Sequence, residues 1–312
     1  MFAEYSKNNL EGVLTVLAES SFDSKVLIAG GNHAELFLTT DGGENWKNSN
    51  TGLLSHLKLT SIVPSKFNKN RVYVTLNDYN HDDASPYVYM SNDLCKTWQL
   101  ISNNIPTEAT HIIAEDLEDE NILYVGTDLG VYVSLDRGTQ WMSLSNKLPP
   151  IATQDLLVHQ EREELIIATH GRSMYAVDVR PIRMLNQLEN EQKAYVFPIK
   201  NAGLPRARHA SGDWDLETSQ PANVTFYIPK KEKIDIVVKD ENGNEVWSFN
   251  ESYNEGFHTV NWDLIKEPSR TTKSAYFRGT TFYKAGEYQV ILKTGSINLT
   301  EKLIIEPFLK NE

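Results

Sequence analysis

The sequence has almost no cysteine and no long apolar run, and each absence excludes a class of protein. Its 312 residues contain one cysteine, Cys95, so a fold held by disulfides within the chain is excluded. No apolar stretch approaches the roughly 20 residues of a membrane-spanning helix, and no signal-peptide pattern follows Met1. We therefore predict a chain without a membrane span.

Basic residues are also scarce relative to acidic ones. The chain has 30 Lys and Arg against 42 Asp and Glu, a formal net charge of -12. An acidic surface repels phosphate backbones, and no basic stripe offsets it, so nucleic acid is not an expected partner. Apolar residues at 40% and charged residues at 23% are typical of a folded globular protein.

An aspartate-containing turn motif occurs three times in the first half of the chain. The copies are residues 39–46 (TTDGGENW), 91–98 (SNDLCKTW) and 134–141 (SLDRGTQW). Their aspartates, Asp41, Asp93 and Asp136, lie 52 and 43 residues apart, a spacing typical of one propeller blade. In the second copy, Cys95 stands where the other two have glycine.

The residue types of this motif predict a structural role. Aspartate accepts backbone N–H bonds in tight turns, glycine tolerates positive φ, and a tryptophan ring buries a large apolar area. We expect each motif to hold the turn between the third and fourth strands of a repeat unit. We expect the tryptophans to pack between neighbouring strands; they are Trp46, Trp98 and Trp141.

Short apolar strands precede each motif in the same order. In the first unit they cover residues 13–18, 26–30 and 35–38, and a fourth unit repeats the pattern at residues 165–169 and 173–178 without the motif. Four strands per unit in four successive units predict an all-β fold that begins with a partial β-propeller of about four blades, over residues 8–180.

The pattern changes after Val179. Residues 181–220 are predicted to be a connector. From residue 223 a new alternation of apolar and polar residues begins, with Gly and Asn at its turns, as in residues 240–244 (DENGN). Six or seven short strands separated by such turns predict an antiparallel β-sandwich over residues 221–308.

The repeated motifs, together with residues 81–93, 126–138 and 168–172, resemble the Asp-box (BNR) propellers of the sortilin-type, secreted bacterial "glycosyl hydrolase" group. This resemblance implies a secreted or periplasmic protein. Members of that group usually have more than four blades, so we expect missing N-terminal blades to complete the propeller. A tight four-bladed ring and the pairing of two chains into eight blades are the alternatives. Residues 240–247, 256–263 and 285–290 are similar to the immunoglobulin-like module of flagellar hook-capping proteins.

Acidic, histidine and arginine side chains concentrate in the loops between the second and third strands of the units. These loops lie at the end opposite the Asp motifs and are expected to converge on a central funnel. The candidate ligand-binding residues are His33, Asp78, His81, Asp82, Asp83, Asp128, His170 and Arg172. No zinc or EF-hand spacing occurs among them, so no cofactor is expected. Calcium is the cation that such oxygen ligands would suit.

Two functions from different classes fit these residues. The first is non-catalytic binding of a protein or glycan ligand, and the alternative is glycoside hydrolysis in the funnel. A glycosidase needs two carboxylates about 5 to 10 Å apart, and Asp82 or Asp83 with Asp128 is the available pair. A sialidase needs an arginine cluster that Arg172 alone does not supply. We therefore expect binding, with Asp83 and Asp128 as the catalytic candidates for the alternative.

Overall fold

The computed structural model describes residues 13–144, 148–188, 193–207, 214–215, 219–267 and 281–307. In these ranges the protein is all-β, with one short α-helix. Contacts divide it into a first unit that ends at Gln187 and a second unit that begins at Leu188. The division lies inside the range predicted as a connector, and each unit is described separately below.

The first unit consists of four successive antiparallel sheets, here called sheets I to IV. Sheet I contains β1 (Leu14–Glu19), β2 (Leu27–Gly31), β3 (Leu36–Thr39) and β4 (Lys47–Asn48). Sheet II contains β5 (Lys58–Pro64), β6 (Val72–Asp78), β7 (Asp83–Ser91) and β8 (Gln99–Leu100). Sheet III contains β9 (Thr110–Glu115), β10 (Leu123–Thr127), β11 (Val131–Ser134) and β12 (Met142–Ser143). Sheet IV contains β13 (Thr153–His159), β14 (Glu164–Thr169) and β15 (Met174–Asp178).

Neighbouring sheets pack face to face, with their first strands β1, β5, β9 and β13 in contact in that order. Ile28 of sheet I lies in one apolar cluster with Val74 of sheet II, and Tyr73 of sheet II lies in the next cluster with Ile113 and Val125 of sheet III. Sheets II and III are therefore covered on both faces. Their second strands are apolar almost throughout because neither face meets solvent.

The three Asp motifs form closely similar turns between the third and fourth strands of sheets I, II and III, here called the box turns. In the first, Thr39 Oγ1 donates to Asp41 Oδ1 at 2.7 Å, and the Asn45 backbone N–H donates to the same oxygen at 3.0 Å. In the third, the corresponding distances from Ser134 and Gln140 to Asp136 are 2.8 and 2.9 Å. Each carboxylate thus closes its turn by accepting from both sides.

The tryptophans that end the second and third box turns tie each sheet to the sheet before it. Trp98 Nε1 donates to the carbonyl oxygen of Ser49 at 3.0 Å, and Trp141 Nε1 donates to that of Ile101 at 2.6 Å. Trp141 is also buried among apolar side chains from sheets II and III. The indole therefore contributes both apolar area and a hydrogen bond at a junction between sheets.

Cys95 occupies the turn position that requires a left-handed backbone. Its φ is 61°, close to the 88° of Gly138 at the equivalent place in the third box turn. A side chain in this conformation costs roughly 1–2 kcal/mol, and the Cys95 thiol is fully buried. Burial raises the pKa of that thiol to about 12, so it is protonated and poorly nucleophilic at neutral pH.

The second box turn predicts a pH dependence of stability. Hydrogen bonds from Thr97 lower the pKa of Asp93 from its ordinary 3.8 to about 2. A carboxyl with a lower pKa when folded stabilises the protein at pH values above 3.8, and this stabilisation is lost as the pH falls towards 2. Asp93→Asn should therefore be less stable than the parent at pH 7, with a difference that narrows below pH 4 in urea titrations. An equal difference at every pH from 2 to 7 would contradict this assignment.

Helix α1 (Arg180–Asn186) follows sheet IV and is anchored to sheet III by a buried ion pair. Pro181 lies in its first turn, where a missing N–H costs nothing. Arg183 Nε lies 3.0 Å from Asp116 Oδ1, and the Asp116 side chain is fully buried. Tyr124 donates to the other Asp116 oxygen at 3.2 Å. The end of the first unit is therefore fixed by charge-assisted hydrogen bonds.

The second unit contains two larger sheets, of order β16-β20-β23 and β17-β27-β26-β21-β22, and two short hairpins, β18-β19 and β24-β25. Its strands are β16 (Tyr195–Val196), β17 (Ala202–Gly203), β18 (Arg206–Ala207), β19 (Trp214–Asp215), β20 (Ala222–Ile228), β21 (Glu232–Lys239), β22 (Glu245–Tyr253), β23 (Gly256–Trp262), β24 (Ile265–Glu267), β25 (Thr281–Phe282), β26 (Gly286–Thr294) and β27 (Ile297–Glu306). Phe226 and Trp262 from the first sheet share one core with Ile236 and Val290 from the second. The two sheets are thus layered around this core.

Four short strands of the second unit, β16 to β19, lie in the range predicted as a connector. β16 pairs with β20, and β17 runs parallel to β27 at the edge of the larger sheet. The range predicted as a connector therefore contributes to both layers of the second unit. Sequence patterns did not reveal these strands because two-residue strands are too short to show alternation.

Candidate functional site

A cavity of about 590 Å³ lies at the end of sheets I to IV that carries the loops between second and third strands, here called the funnel end. All four sheets contribute to its lining, which includes Thr15, Lys58, Asp78, His111, Gln154 and His170. The box turns lie at the opposite end, here called the box end, because successive antiparallel connections alternate between ends. A cavity of this size is typical of small-ligand sites.

Tyr79, His111 and Asp128 form a hydrogen-bonded cluster at the funnel end. His111 Nε2 lies 2.7 Å from Asp128 Oδ1, and the Tyr79 hydroxyl donates to the same carboxylate oxygen. The Tyr79 and His111 rings stack with centroids 5.6 Å apart. Desolvation and the Asp128 carboxylate raise the pKa of Tyr79 well above its usual 10, so this hydroxyl stays protonated and keeps donating.

The cluster combines a fixed polar network with an exposed aromatic surface. His111 is 9% exposed, whereas Tyr79 is 54% exposed. The buried histidine and the carboxylate hold the tyrosine ring in place, and a large part of that ring remains available to a ligand. Tyrosine side chains combine an apolar ring with a polar hydroxyl group. They are common contact residues in binding sites.

A second polar cluster surrounds Asp78 at the end of β6. The Asp78 side chain is 4% exposed, and His81 Nδ1 lies 2.6 Å from its Oδ1. His56, from the loop before β5, places its Nε2 3.8 Å from the other oxygen. Both imidazoles are largely exposed, so they cover the carboxylate and also face solvent.

Both carboxylate oxygens of Asp83 accept hydrogen bonds from residues of its own strand, β7. Its Oδ2 accepts from the Tyr87 hydroxyl at 2.6 Å, and its Oδ1 accepts from the Ser85 backbone N–H at 2.8 Å. Hydrogen bonds from Ser85 and Tyr87 lower the pKa of Asp83. Desolvation and the nearby carboxylate raise the pKa of Tyr87 to about 12. Asp83 is therefore an ionised acceptor that organises the base of the loop.

The remaining predicted residues lie around these clusters. Asp82 and His33 are exposed, and both have a left-handed backbone, with φ of 55° and 57°. His170 contributes to the cavity lining, and Arg172 is exposed two residues later in the same loop. The structure thus brings Asp78 together with His81, and gives Asp128 and Asp83 separate tyrosine partners.

Four residues that join these clusters were absent from the candidates based on sequence. They are Tyr79, His111, His56 and Tyr87. Tyr79 and Tyr87 flank the acidic loop of sheet II and could have been found by extending the search to its aromatic neighbours. His111 lies on a first strand rather than in a loop, so the loop criterion excluded it.

Within the described ranges, no group of three or more His, Cys, Asp or Glu side chains is placed to hold a metal ion. In the same part of the chain, no helix has both the length and the apolar character needed to span a bilayer.

No family profile matches the chain, and no curated protein matches it. Among solved structures it is similar to an ancestral GH74 enzyme, with 14% identity, a TM-score of 0.40 and coverage of 90% of this chain and 40% of that one. It is also similar to PorZ of the type-IX secretion system of Porphyromonas gingivalis, with 13% identity, a TM-score of 0.42 and coverage of 97% and 47%. A third neighbour is the Cps50 (Swd1) β-propeller domain of Myceliophteria thermophila, with 10% identity, a TM-score of 0.43 and coverage of 76% and 72%.

The chain spans less than half the length of the GH74 enzyme and of PorZ. The neighbours have propeller folds, and they include both enzymes and proteins named for secretion or binding. At these identities and scores, none of their activities transfers to this chain.

Proposed function

We propose that the protein is a non-catalytic, secreted or periplasmic module that binds a protein or glycan ligand at the funnel end. Sheets I to IV are then the blades of a partial Asp-box propeller over residues 8–180. Residues 181–220 connect it to an immunoglobulin-like sandwich over residues 221–308. Layering of the two larger sheets around one core supports the sandwich assignment.

The Tyr79–His111–Asp128 cluster carries this proposal. It places an exposed aromatic ring, held by a buried histidine and a carboxylate, beside a cavity lined by all four sheets. An exposed tyrosine ring can stack on a sugar ring or an aliphatic side chain, and nearby carboxylates accept from hydroxyl or ammonium groups. The preorganised ring lowers the entropy cost of binding.

The two catalytic candidates are poorly suited to glycoside hydrolysis. A general acid needs a raised pKa, whereas the pKa of Asp83 is lowered by Ser85 and Tyr87. Asp128 accepts from both Tyr79 and His111 through the same oxygen. These carboxylates are engaged as hydrogen-bond acceptors, which supports a role in positioning side chains.

Binding is tested by applying the labelled 312-residue chain to a glycan array and to a library of immobilised peptides. We expect Tyr79→Ala to weaken the affinity for any ligand found there at least tenfold, the effect of losing about 1.4 kcal/mol. Tyr79→Phe should retain most of the affinity if the ring makes the contact. Unchanged binding by Tyr79→Ala would contradict the assignment of this cluster.

Hydrolysis is tested separately by incubating the chain with soluble oligosaccharides and measuring new reducing ends. We expect no product. Product formed by the parent, and lost in both Asp83→Asn and Asp128→Asn, would replace the binding proposal with the glycosidase alternative.

Calcium remains a proposal that rests on the oxygen-rich loops at the funnel end. Elemental analysis of the purified chain, with thermal melts before and after a chelator, tests it. Bound calcium and a lower melting temperature after chelation would support the site, and no change in either would remove it.

A further inference from the structure

The first strand of each sheet in the first unit carries a β-bulge at the same position. In β5 the pairing with the second strand passes from Leu59 to Ser61, so Thr60 has no partner across the ladder. The same shift occurs in β1, β9 and β13. The extra residues, one in each sheet, are Thr15, Thr60, His111 and Gln154. Bulges bend a strand and redirect a side chain, often beside a functional site.

The bulge in β5 changes which residues share a face. Residues three apart in a regular strand point to opposite faces, yet Leu59 and Ile62 lie in one apolar cluster. The extra residue turns towards sheet III, where Thr60 Oγ1 lies 3.5 Å from the carbonyl oxygen of Thr110. Thr15 makes the equivalent contact with Leu59 of sheet II, also at 3.5 Å. All four extra residues line the funnel-end cavity.

The extra residues all carry hydrogen-bonding groups, and none is a carboxylate or an ammonium group. Thr60 Oγ1 lies 2.8 Å from Thr75 Oγ1, which uses one of the three hydrogen-bonding positions of a hydroxyl. His111 Nε2 contacts Asp128 and Tyr79, and His111 Nδ1 has no partner in the described part of the chain. Both side chains therefore retain positions that a ligand can use.

The other lining residues favour a neutral sugar over a charged ligand or a peptide anchor. Lys58 and Asp78 bring one charge of each sign to the lining. A sugar has hydroxyl groups around a ring with an apolar face, which suits hydrogen-bonding side chains beside the exposed ring of Tyr79. A peptide anchor needs a deep apolar pocket, whereas Leu59 in the lining is fully buried and presents no surface to a ligand.

We propose that the bulge residues bind the hydroxyl groups of a neutral oligosaccharide whose ring stacks on Tyr79. The cavity of about 590 Å³ is within the size range of small-ligand sites. This inference rests on the proposed binding function and narrows its ligand to a neutral glycan. The bulge residues are then the residues that determine which glycan binds.

The first measurement applies the 312-residue chain to an array of neutral, sialylated and uronate-containing oligosaccharides and to immobilised peptides. We expect binding to a neutral oligosaccharide that is weakened in Tyr79→Ala. Binding only to peptides or to acidic glycans, lost in Tyr79→Ala, would overturn the inference and leave the binding function intact. No binding to any of these surfaces would overturn both.

Two substitutions that keep the side-chain shape test the bulge residues directly. Thr60→Val and Gln154→Met should each bind the neutral oligosaccharide from the array about fivefold more weakly in isothermal titration, the effect of losing one neutral hydrogen bond. Thr225→Val is the matched control, since it breaks a similar pair in the second unit, where Thr225 Oγ1 lies 3.1 Å from Thr259 Oγ1. Gln160→Met, at an exposed glutamine just after β13, is the second control. Both controls should bind like the parent.

Monodeoxy analogues of the same oligosaccharide separate a direct contact from a structural effect. One analogue should bind the parent about fivefold more weakly than the intact sugar does, yet should bind Thr60→Val no more weakly than the parent, because the same hydrogen bond is already lost. An equal loss in Thr60→Val for every analogue would overturn the inference. So would unchanged affinity in both Thr60→Val and Gln154→Met while Tyr79→Ala weakens binding, and the funnel-end site would then stand without it.

Discussion

Arg183→Met is expected to lower the free energy of unfolding of the first unit by about 3–5 kcal/mol, the usual cost of leaving a buried charge without its partner. The guanidinium contacts both oxygens of Asp116, whose side chain is fully buried, and Arg183 itself is 7% exposed. Among the described residues, removing the arginine leaves this buried carboxylate with the Tyr124 hydroxyl and the backbone N–H groups of Glu118 and Asp119 as donors, and with no cation. Chemical denaturation followed by tryptophan fluorescence measures the loss.

A neighbouring arginine on the same helix supplies the control for this substitution. Arg180 pairs with Asp178, and both side chains are more than one third exposed, so Arg180→Met should cost less than about 1 kcal/mol. The double variant Arg183→Met with Asp116→Leu should regain much of the stability, because the buried carboxylate is removed together with its partner. Glu118 and Glu163, which also pair with Arg183, are more than one third exposed and remain solvated. Equal losses for Arg183→Met and Arg180→Met would mean that the ion pair does not anchor the helix.

Trp141→Ala is expected to destabilise the first unit by about 3–5 kcal/mol, the usual range for truncating a buried tryptophan. The ring is 5% exposed and lies in the cluster that joins sheets II and III, and its Nε1 donates to the carbonyl oxygen of Ile101. Truncation therefore leaves a large cavity and also an unsatisfied carbonyl. Urea denaturation, followed by far-ultraviolet circular dichroism, measures the effect.

Trp141→Phe separates the contribution of the buried ring from that of the indole hydrogen bond. The phenyl ring keeps much of the apolar volume and removes the indole N–H, so this variant should lose about 1–2 kcal/mol. A loss below 1 kcal/mol for Trp141→Ala would show that the third box turn does not tie sheet III to sheet II.

The repeat pattern predicted the local elements well because each repeat carries the same strong signals. A turn built from Asp136, Gly138 and Trp141 has the same physical requirements wherever it occurs. An all-β chain with propeller-type sheets followed from those signals. The strands β16 and β17 were not predicted from the sequence, because two residues are too few to show an alternation of apolar and polar positions.

The candidate site was only partly predictable, since its pairings depend on how separate sheets align. Tyr79 and Asp128 come from different sheets, and His111 joins them from a first strand. Arg183 reaches Asp116 across 67 residues. Sequence patterns indicated which end of the sheets carries polar loops, but the choice of partner is decided by sheet-to-sheet packing.

The funnel end is proposed to bind the ligand, and the box end is assigned a structural role. The most direct measurement compares, by isothermal titration, the affinity of Asp128→Asn and Asp93→Asn for one oligosaccharide or peptide bound by the parent chain, at a pH where both variants are folded. If the ligand binds at the funnel end, Asp128→Asn should bind at least tenfold more weakly, and Asp93→Asn should have an unchanged affinity. Loss of binding in Asp93→Asn, with Asp128→Asn unaffected, would contradict the proposal.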